Sequence, residues 1–137
     1  LNSCCQHFAA LSQVGESMQK PDLYWQNNVI GSLNLIQAAV DHCCVDFVFS
    51  STLATYDDQD GMVLDEDSLQ HPINAYGASK RTVENILADY LATYGLNQVI
   101  FWYFNVAGAD PEAEMGESHQ PETHLVPLIL DAVEGKN

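Results

Sequence analysis

Apolar residues in this chain follow two rhythms, and the points where one gives way to the other mark the elements. A short β-rich run over Cys4 to Phe8 comes first and ends in Ala9-Ala10. Beyond Pro21, Val29, Leu33, Ile36 and Val40 recur at intervals of four, three and four, the spacing of one buried helix face. That pattern predicts a helix from about Asp22 to His42, with Pro21 and Asp22 suited to its first turn. Val45 to Ser50 (Val-Asp-Phe-Val-Phe-Ser) reads as a second strand that runs into hydroxyls. A second long helix is expected from about Asn74 to Tyr94, with Val83, Ile86, Leu87, Tyr90 and Leu91 on its apolar face and Gly95 just past its end. Gln98 to Phe104 reads as a third strand and His124 to Glu134 as a final helix, with irregular, Pro- and Gly-punctuated chain between them.

Strand and helix alternate throughout, which predicts an α/β fold with a doubly wound, Rossmann-like parallel sheet. Long crossover helices join parallel neighbours in the right-handed sense. In such sheets ligands gather at the carboxyl ends of the strands. Three polar strand ends are expected there: Ala10 to Ser12, Ser50 to Thr52, and Phe104-Asn105.

One of these ends is followed by a helix that carries chemistry. Tyr76 and Lys80 stand four residues apart in Tyr-Gly-Ala-Ser-Lys, so on a helix they share a face. A free phenol ionises near pH ~10 and is a poor base at neutrality. A neighbouring ammonium stabilises the phenolate and is expected to draw that pKa down. Thr52, delivered from the strand end, can hydrogen-bond a reacting hydroxyl and orient it. Together the three side chains make a proton-handling site. As chance features, a Tyr-x-x-x-Lys pair or a hydroxyl cap on a strand end would each mean little; their convergence on one sheet edge gives them weight.

Composition narrows the partners. The 137 residues suit one domain and are 47% hydrophobic, enough for a core. Four Lys and Arg against nineteen Asp and Glu leave a formal charge of −15, which argues against nucleic acid or an anionic membrane as a partner. Six acids between Asp57 and Asp67 read as a solvated surface. The cysteines form two adjacent pairs, Cys4-Cys5 and Cys43-Cys44, with neither zinc-ribbon nor secreted spacing. Buried or half-buried thiols in a reducing cytoplasm are expected, and none of the five His has metal-ligand spacing. With no basic, apolar leader and no run long enough to span a bilayer, the expectation is a soluble cytoplasmic protein. Asn27-Asn28 sits awkwardly inside a helix, a local conflict that suits a ligand contact.

Several segments, in order, carry a resemblance: His7-Phe8-Ala9-Ala10, Val14-Gly15-Glu16-Ser17, Tyr24 to Val29, Phe49 to Thr52, Asn74 to Lys80, Tyr103 to Ala109, and Gly116-Glu117 with Pro121 to Leu128. From about His7 onward they resemble the extended short-chain dehydrogenase/reductases, the NAD-dependent epimerase and dehydratase family. The last stretch is the most similar to the nucleotide-sugar 4-epimerases. The resemblance implies reversible oxidation at C4 of a UDP-sugar by tightly held NAD, rotation of the keto-sugar and hydride return, so that UDP-glucose and UDP-galactose interconvert. It implies Tyr76 as the base, Lys80 on the ribose hydroxyls and Thr52 on the sugar's 4-hydroxyl. It places Phe8, Ala9, Ala10, Leu11 and Ser12 along the cofactor, with Asn27, Thr52, Tyr76, Lys80 and Phe104 also against it. Asn105, His124 and Leu125, with Thr52 and Tyr76, would face the UDP-sugar.

The sequence departs from that family in places. It contains no Gly-x-x-Gly-x-x-Gly turn for the pyrophosphate, nor the acid that would read the adenine ribose. The family's C-terminal part, with most of the sugar contacts, has no counterpart. Leu1 to Gln6 is poor in aliphatics for a central strand, Trp102 stands where Arg is usual, and Asp57 stands where Gly often follows Tyr56. The chain therefore reads as a partial NAD-binding and catalytic domain over 1–137, the middle of a longer enzyme. It would be inactive and unable to hold NAD alone, and homodimeric when full-length. Two other readings stand beside this one: a related nucleotide-sugar epimerase or dehydratase, or a non-catalytic remnant. A dehydratase would be expected to carry Asp-Glu after the threonine, where this chain has Leu53-Ala54.

Overall fold

The computed structural model describes residues 3–56, 63–108, 110–112, 114–116 and 122–135. They group into two compact units, Leu1–Tyr103 and Phe104–Asn137. The first unit holds a parallel three-stranded sheet in the order β1-β2-β3, with β1 Cys4–His7, β2 Asp46–Thr52 and β3 Asn97–Tyr103. Cys4 pairs with Asp46 and Asp46 with Asn97, and the register continues to Thr52 beside Tyr103. Sequence spacing placed the end of β2 at Ser50; the ladder instead runs on through Ser51 and Thr52. The functional hydroxyls thus belong to the strand itself.

Between β1 and β2 the expected single helix is segmented. A short helix α1, Val14–Gln19, was not foreseen, and α2, Pro21–Tyr24, leads into a π-helical stretch, Trp25–Ile30, followed by α3, Gly31–Asp41. α1 escaped notice because its six residues hold only one apolar pair, Val14 and Met18, too few to mark a period. Proline at the first turn of α2 costs no intrahelical hydrogen bond, as expected. The second long helix, α4, spans Ala75–Tyr94. Asn74 caps it by accepting the Gly77 N–H at 2.8 Å, and Gly95 ends it in the left-handed conformation at φ 72°.

Helices α3 and α4 pack on one face of the sheet. Ile36 and Ala39 of α3, Phe47 and Phe49 of β2, and Val83 and Leu87 of α4 form the core with Leu96. Val29, Val40, Ile86 and Tyr90 lie against it as half-buried neighbours, while Leu91 of the predicted stripe is exposed. The alternation in β2 explains the layer: Phe47, Phe49 and Ser51 point to the helices and are buried. In β3, Ile100 and Trp102 share that face, whereas Val99 and Phe101 on the other are about half exposed. All four cysteines are free thiols; Cys5 and Cys44 are half-buried as expected, but Cys4 and Cys43 are exposed.

The second unit contains α5, Leu125–Glu134, which starts one residue later than its apolar pattern suggested and ends at Gly135 with φ 71°. Positions 57–62 of the acidic connection lie outside the described residues; Leu53–Thr55 before them form one 3-10 turn.

Candidate functional site

The site is assembled where the end of β2 meets the start of α4. Thr52 ends the strand with its side chain buried, and its Oγ1 accepts the Ala54 N–H at 3.2 Å, capping the 3-10 turn. Thr55 Oγ1 donates back to the Thr52 carbonyl at 3.0 Å, closing the turn from its other end. Helix α4 can lie directly on this turn because position 77 is glycine. A Cβ there would stand 1.9 Å from the Ala54 carbonyl oxygen, closer than any side chain allows. Tyr76, the preceding residue, packs edge-on to the fully buried Tyr24 with ring centroids 6.4 Å apart.

The Thr52 hydroxyl favours the ionised form of the Tyr76 phenol. Its Oγ1 accepts from Ala54, so the hydroxyl keeps its own proton to donate. Burial acts more strongly in the opposite direction and pushes the phenol above its ordinary value.

Here the structure corrects an expectation. The spacing of Tyr76 and Lys80 suggested that the ammonium draws the phenol down, yet in this chain Thr52 alone opposes the upward push. Lys80 Nζ is turned to the sheet, where it donates to the Ser50 carbonyl at 2.7 Å and lies 4.8 Å from the centroid of the Phe49 ring. The side chain is only 3% exposed, and burial lowers its pKa to about 8, with Glu84 one turn further on pulling it up. One ammonium proton is spent on Ser50; the other two meet no acceptor among the described residues. His7 is also buried near this cation, its Nε2 2.7 Å from Ser32 Oγ, and burial first and Lys80 second lower its pKa.

Residues Phe8 to Ser12 follow β1 over the same sheet edge. Phe8, Ala9 and Ser12 are exposed, Ala10 and Leu11 half-buried. Leu11 is fixed by a residue that the sequence marked only as half of the Asn27-Asn28 pair. Asn28 is buried; its Oδ1 accepts the Leu11 N–H at 2.9 Å and its Nδ2 donates to the Leu11 carbonyl at 2.9 Å and to Ser79 Oγ at 3.2 Å. Ser79 in turn donates to the Tyr76 carbonyl at 2.7 Å, so Asn28 ties the loop after β1 to the helix that bears the phenol. Asn27 donates to Asn28 Oδ1 at 3.0 Å and is itself exposed, lining an open cleft of about 370 Å³ with Leu11, Leu23, Gln26, Ile30 and Asn34. The awkward Asn-Asn pair was the signal available in the sequence. It marked the place, while the inward residue is the second of the two.

A buried carboxylate was also missed. Glu84, 3% exposed, sits two turns beyond Tyr76 on the same face of α4 and collects hydrogen bonds from several elements. The same four-residue spacing that links Tyr76 to Lys80 reaches Glu84 next, so the pattern was present in the sequence.

In the second unit, Phe104, Asn105, His124 and Leu125 line one cleft of about 490 Å³ with Val106 to Gly108, Val126 and Pro127. The four residues expected at the cofactor and sugar are thus brought together within that unit. His124 Nδ1 lies 2.9 Å from Glu122 Oε1, which also accepts the His124 N–H at 2.7 Å. Backbone donation from His124 holds the Glu122 carboxyl below its usual range.

Among the described residues no cluster of three or more His, Cys, Asp or Glu could hold a metal, and no helix is long and apolar enough to cross a membrane.

This arrangement can be compared with known proteins. The chain is 52% identical over 130 residues to the UDP-glucose 4-epimerase of Rhizobium leguminosarum bv. trifolii and 50% identical over 130 residues to that of Rhizobium meliloti. Each alignment covers 95% of this chain and 40% of the relative, so the chain spans about two fifths of the length of the curated relatives it matches. The solved UDP-glucose 4-epimerase from Brucella ovis in complex with NAD superposes with a TM-score of 0.90 at 43% identity, over 96% of this chain and 41% of that one. A model of the NAD dependent epimerase/dehydratase family matches residues 4–137. The chain therefore belongs to the NAD dependent epimerase/dehydratase family.

Proposed function

We propose that this chain carries the proton-handling centre of a UDP-sugar 4-epimerase that interconverts UDP-glucose and UDP-galactose. The observation that carries the reading is the Thr52–Tyr76 pair, a buried hydroxyl at the carboxyl end of a parallel strand that favours the ionised form of a half-buried phenol. Tyr76 takes the proton of the sugar's 4-hydroxyl and later returns it; Thr52 orients the reacting oxygen. Lys80 offers its two unspent N–H bonds to a diol, in keeping with the cofactor's ribose. Phe8 to Ser12, Asn27, Thr52, Tyr76, Lys80 and Phe104 would hold NAD, and Asn105, His124 and Leu125 the UDP-sugar. Bound NAD would supply the reversible oxidant at C4 and, in its oxidised state, positive charge near the phenol. A half-buried phenol needs that charge more than a solvated one does, because burial has moved it away from neutrality.

A dehydratase needs further acid and base groups beside the threonine. Leu53 and Ala54 occupy those positions, and Ala54 spends its N–H on Thr52. Four unpaired cysteines suit a reducing cytoplasm. Exposed Leu91 and Tyr94 on the outer face of α4 suit a homodimer of the complete protein.

The complete gene product, assayed with UDP-galactose and with UDP-N-acetylgalactosamine, is expected to form the C4 epimer of at least the first, without net consumption of NAD. A 4-keto-6-deoxy sugar as product would establish the dehydratase reading instead.

A further inference from the structure

We propose that Glu84 is the positioning residue of the Thr52–Tyr76 pair, a buried anion that gathers the ends of β2 and β3 and the segment before α4 onto one face of α4. This rests on reading that pair as the reacting centre. Ser51 Oγ and Trp102 Nε1 both donate to Glu84 Oε1, the indole at 2.9 Å. Ser51 and Trp102 are register partners on adjacent parallel strands, so one carboxylate oxygen clips β2 to β3 at their carboxyl ends. On the other oxygen, Gln70 Nε2 and Arg81 NH1 each donate at 3.0 Å. Gln70 also donates to Thr55 Oγ1 at 3.0 Å, and Thr55 closes the turn that begins at Thr52.

A carboxylate this deeply buried is held only by a full set of donors. Well-packed apolar side chains often replace such a group without loss of stability. What an apolar residue cannot do is fix the direction of several donors at once. Here three donors come from elements that converge beside Thr52: the residue before it, that residue's register partner on β3, and the clasp on its turn. Arg81, half-exposed, closes the set from the helix surface. Glu84 therefore acts on the phenol through Ser51 and Thr55, the two side chains that bracket the threonine's backbone.

The test compares the complete gene product with Glu84→Leu, Ser51→Ala, Trp102→Phe and Trp102→Arg, with Ile36→Val as a core variant remote from the network. Two readouts are used: kcat and KM for UDP-galactose, and the Cζ resonance of 13C-labelled Tyr76 at neutral pH. Glu84→Leu is expected to lower kcat at least tenfold with KM within threefold, and to move the Tyr76 resonance. Ser51→Ala and Trp102→Phe, each of which removes one donor and keeps the fold, should do both to a smaller degree. Trp102→Arg, which restores N–H donors to the same carboxylate, should stay within threefold of the parent. Ile36→Val should move neither readout. If Ser51→Ala and Trp102→Phe leave kcat and the resonance at parental values, or if Ile36→Val moves them equally, Glu84 merely supports the fold and the proposal is wrong. A parent without epimerase turnover would refute the functional reading alone, since the resonance still decides whether Glu84 sets the Tyr76 environment.

Discussion

At the scale of single residues, Lys80 shows how the same side chain can be chemically apt and energetically costly. Its ammonium is buried with one hydrogen bond, and its pKa falls to about 8 from an ordinary 10.5. Between those values the unfolded chain binds more protons than the folded one, so stability rises with pH across that window and the penalty is fully present below about 8. At about 1.4 kcal/mol for each pH unit, the gain is bounded at about 3 kcal/mol. Urea midpoints of the complete protein are expected to climb from pH 8 to 10.5 relative to those of Lys80→Met. Parallel curves would show that the ammonium is solvated. Lys80 was legible in the sequence as Tyr76's partner; its attachment to Ser50 was not, because the carbonyl it reaches lies 30 residues away on the sheet.

Elements place these residues through contacts that local patterns record unevenly. The helix over Ala75–Tyr94 was legible because its apolar period, its Asn74 cap and its Gly95 stop agree. The segmented helix before it was read as continuous, since a π-helical turn leaves the apolar spacing almost unchanged. Glycine at 77 reads locally as a weak point in a helix, and only the Ala54 carbonyl explains it. Gly77→Ala is expected to push the start of α4 off the 3-10 turn. The expected cost is about 1–3 kcal/mol in stability, together with more than tenfold in turnover, since Tyr76 moves with the helix. Asn74→Ala, which removes only the cap, should cost about 1 kcal/mol and spare most of the activity. Equal effects of the two variants on turnover, once stability is matched, would show that close packing at Gly77 does not set the site.

For the molecule as a whole, the parallel sheet followed from alternating periods, and the comparisons place the chain in the corresponding family. Glu84 escaped notice, and Asn28 was noticed only as half of an awkward pair, because each works through partners distant in sequence, Ser51 at 33 residues and Ser79 at 51. The chain spans about two fifths of its curated relatives and contains no Gly-x-x-Gly-x-x-Gly turn. Phe101 and Val99 on the open face of the sheet, and Leu128 to Leu130 on α5, remain exposed. The 137 residues alone are therefore expected to show no saturable NAD binding by calorimetry; a micromolar isotherm would show that this half of the fold suffices.

The most direct measurement is turnover of Tyr76→Phe in the complete gene product, with UDP-sugar affinity determined in parallel. The phenol is placed as the group that moves the proton, so turnover is expected to fall by about 10²–10⁴ while affinity stays within threefold. A Tyr76→Phe enzyme that epimerises at the parental rate would contradict the assignment of the Thr52–Tyr76 pair as the reacting centre.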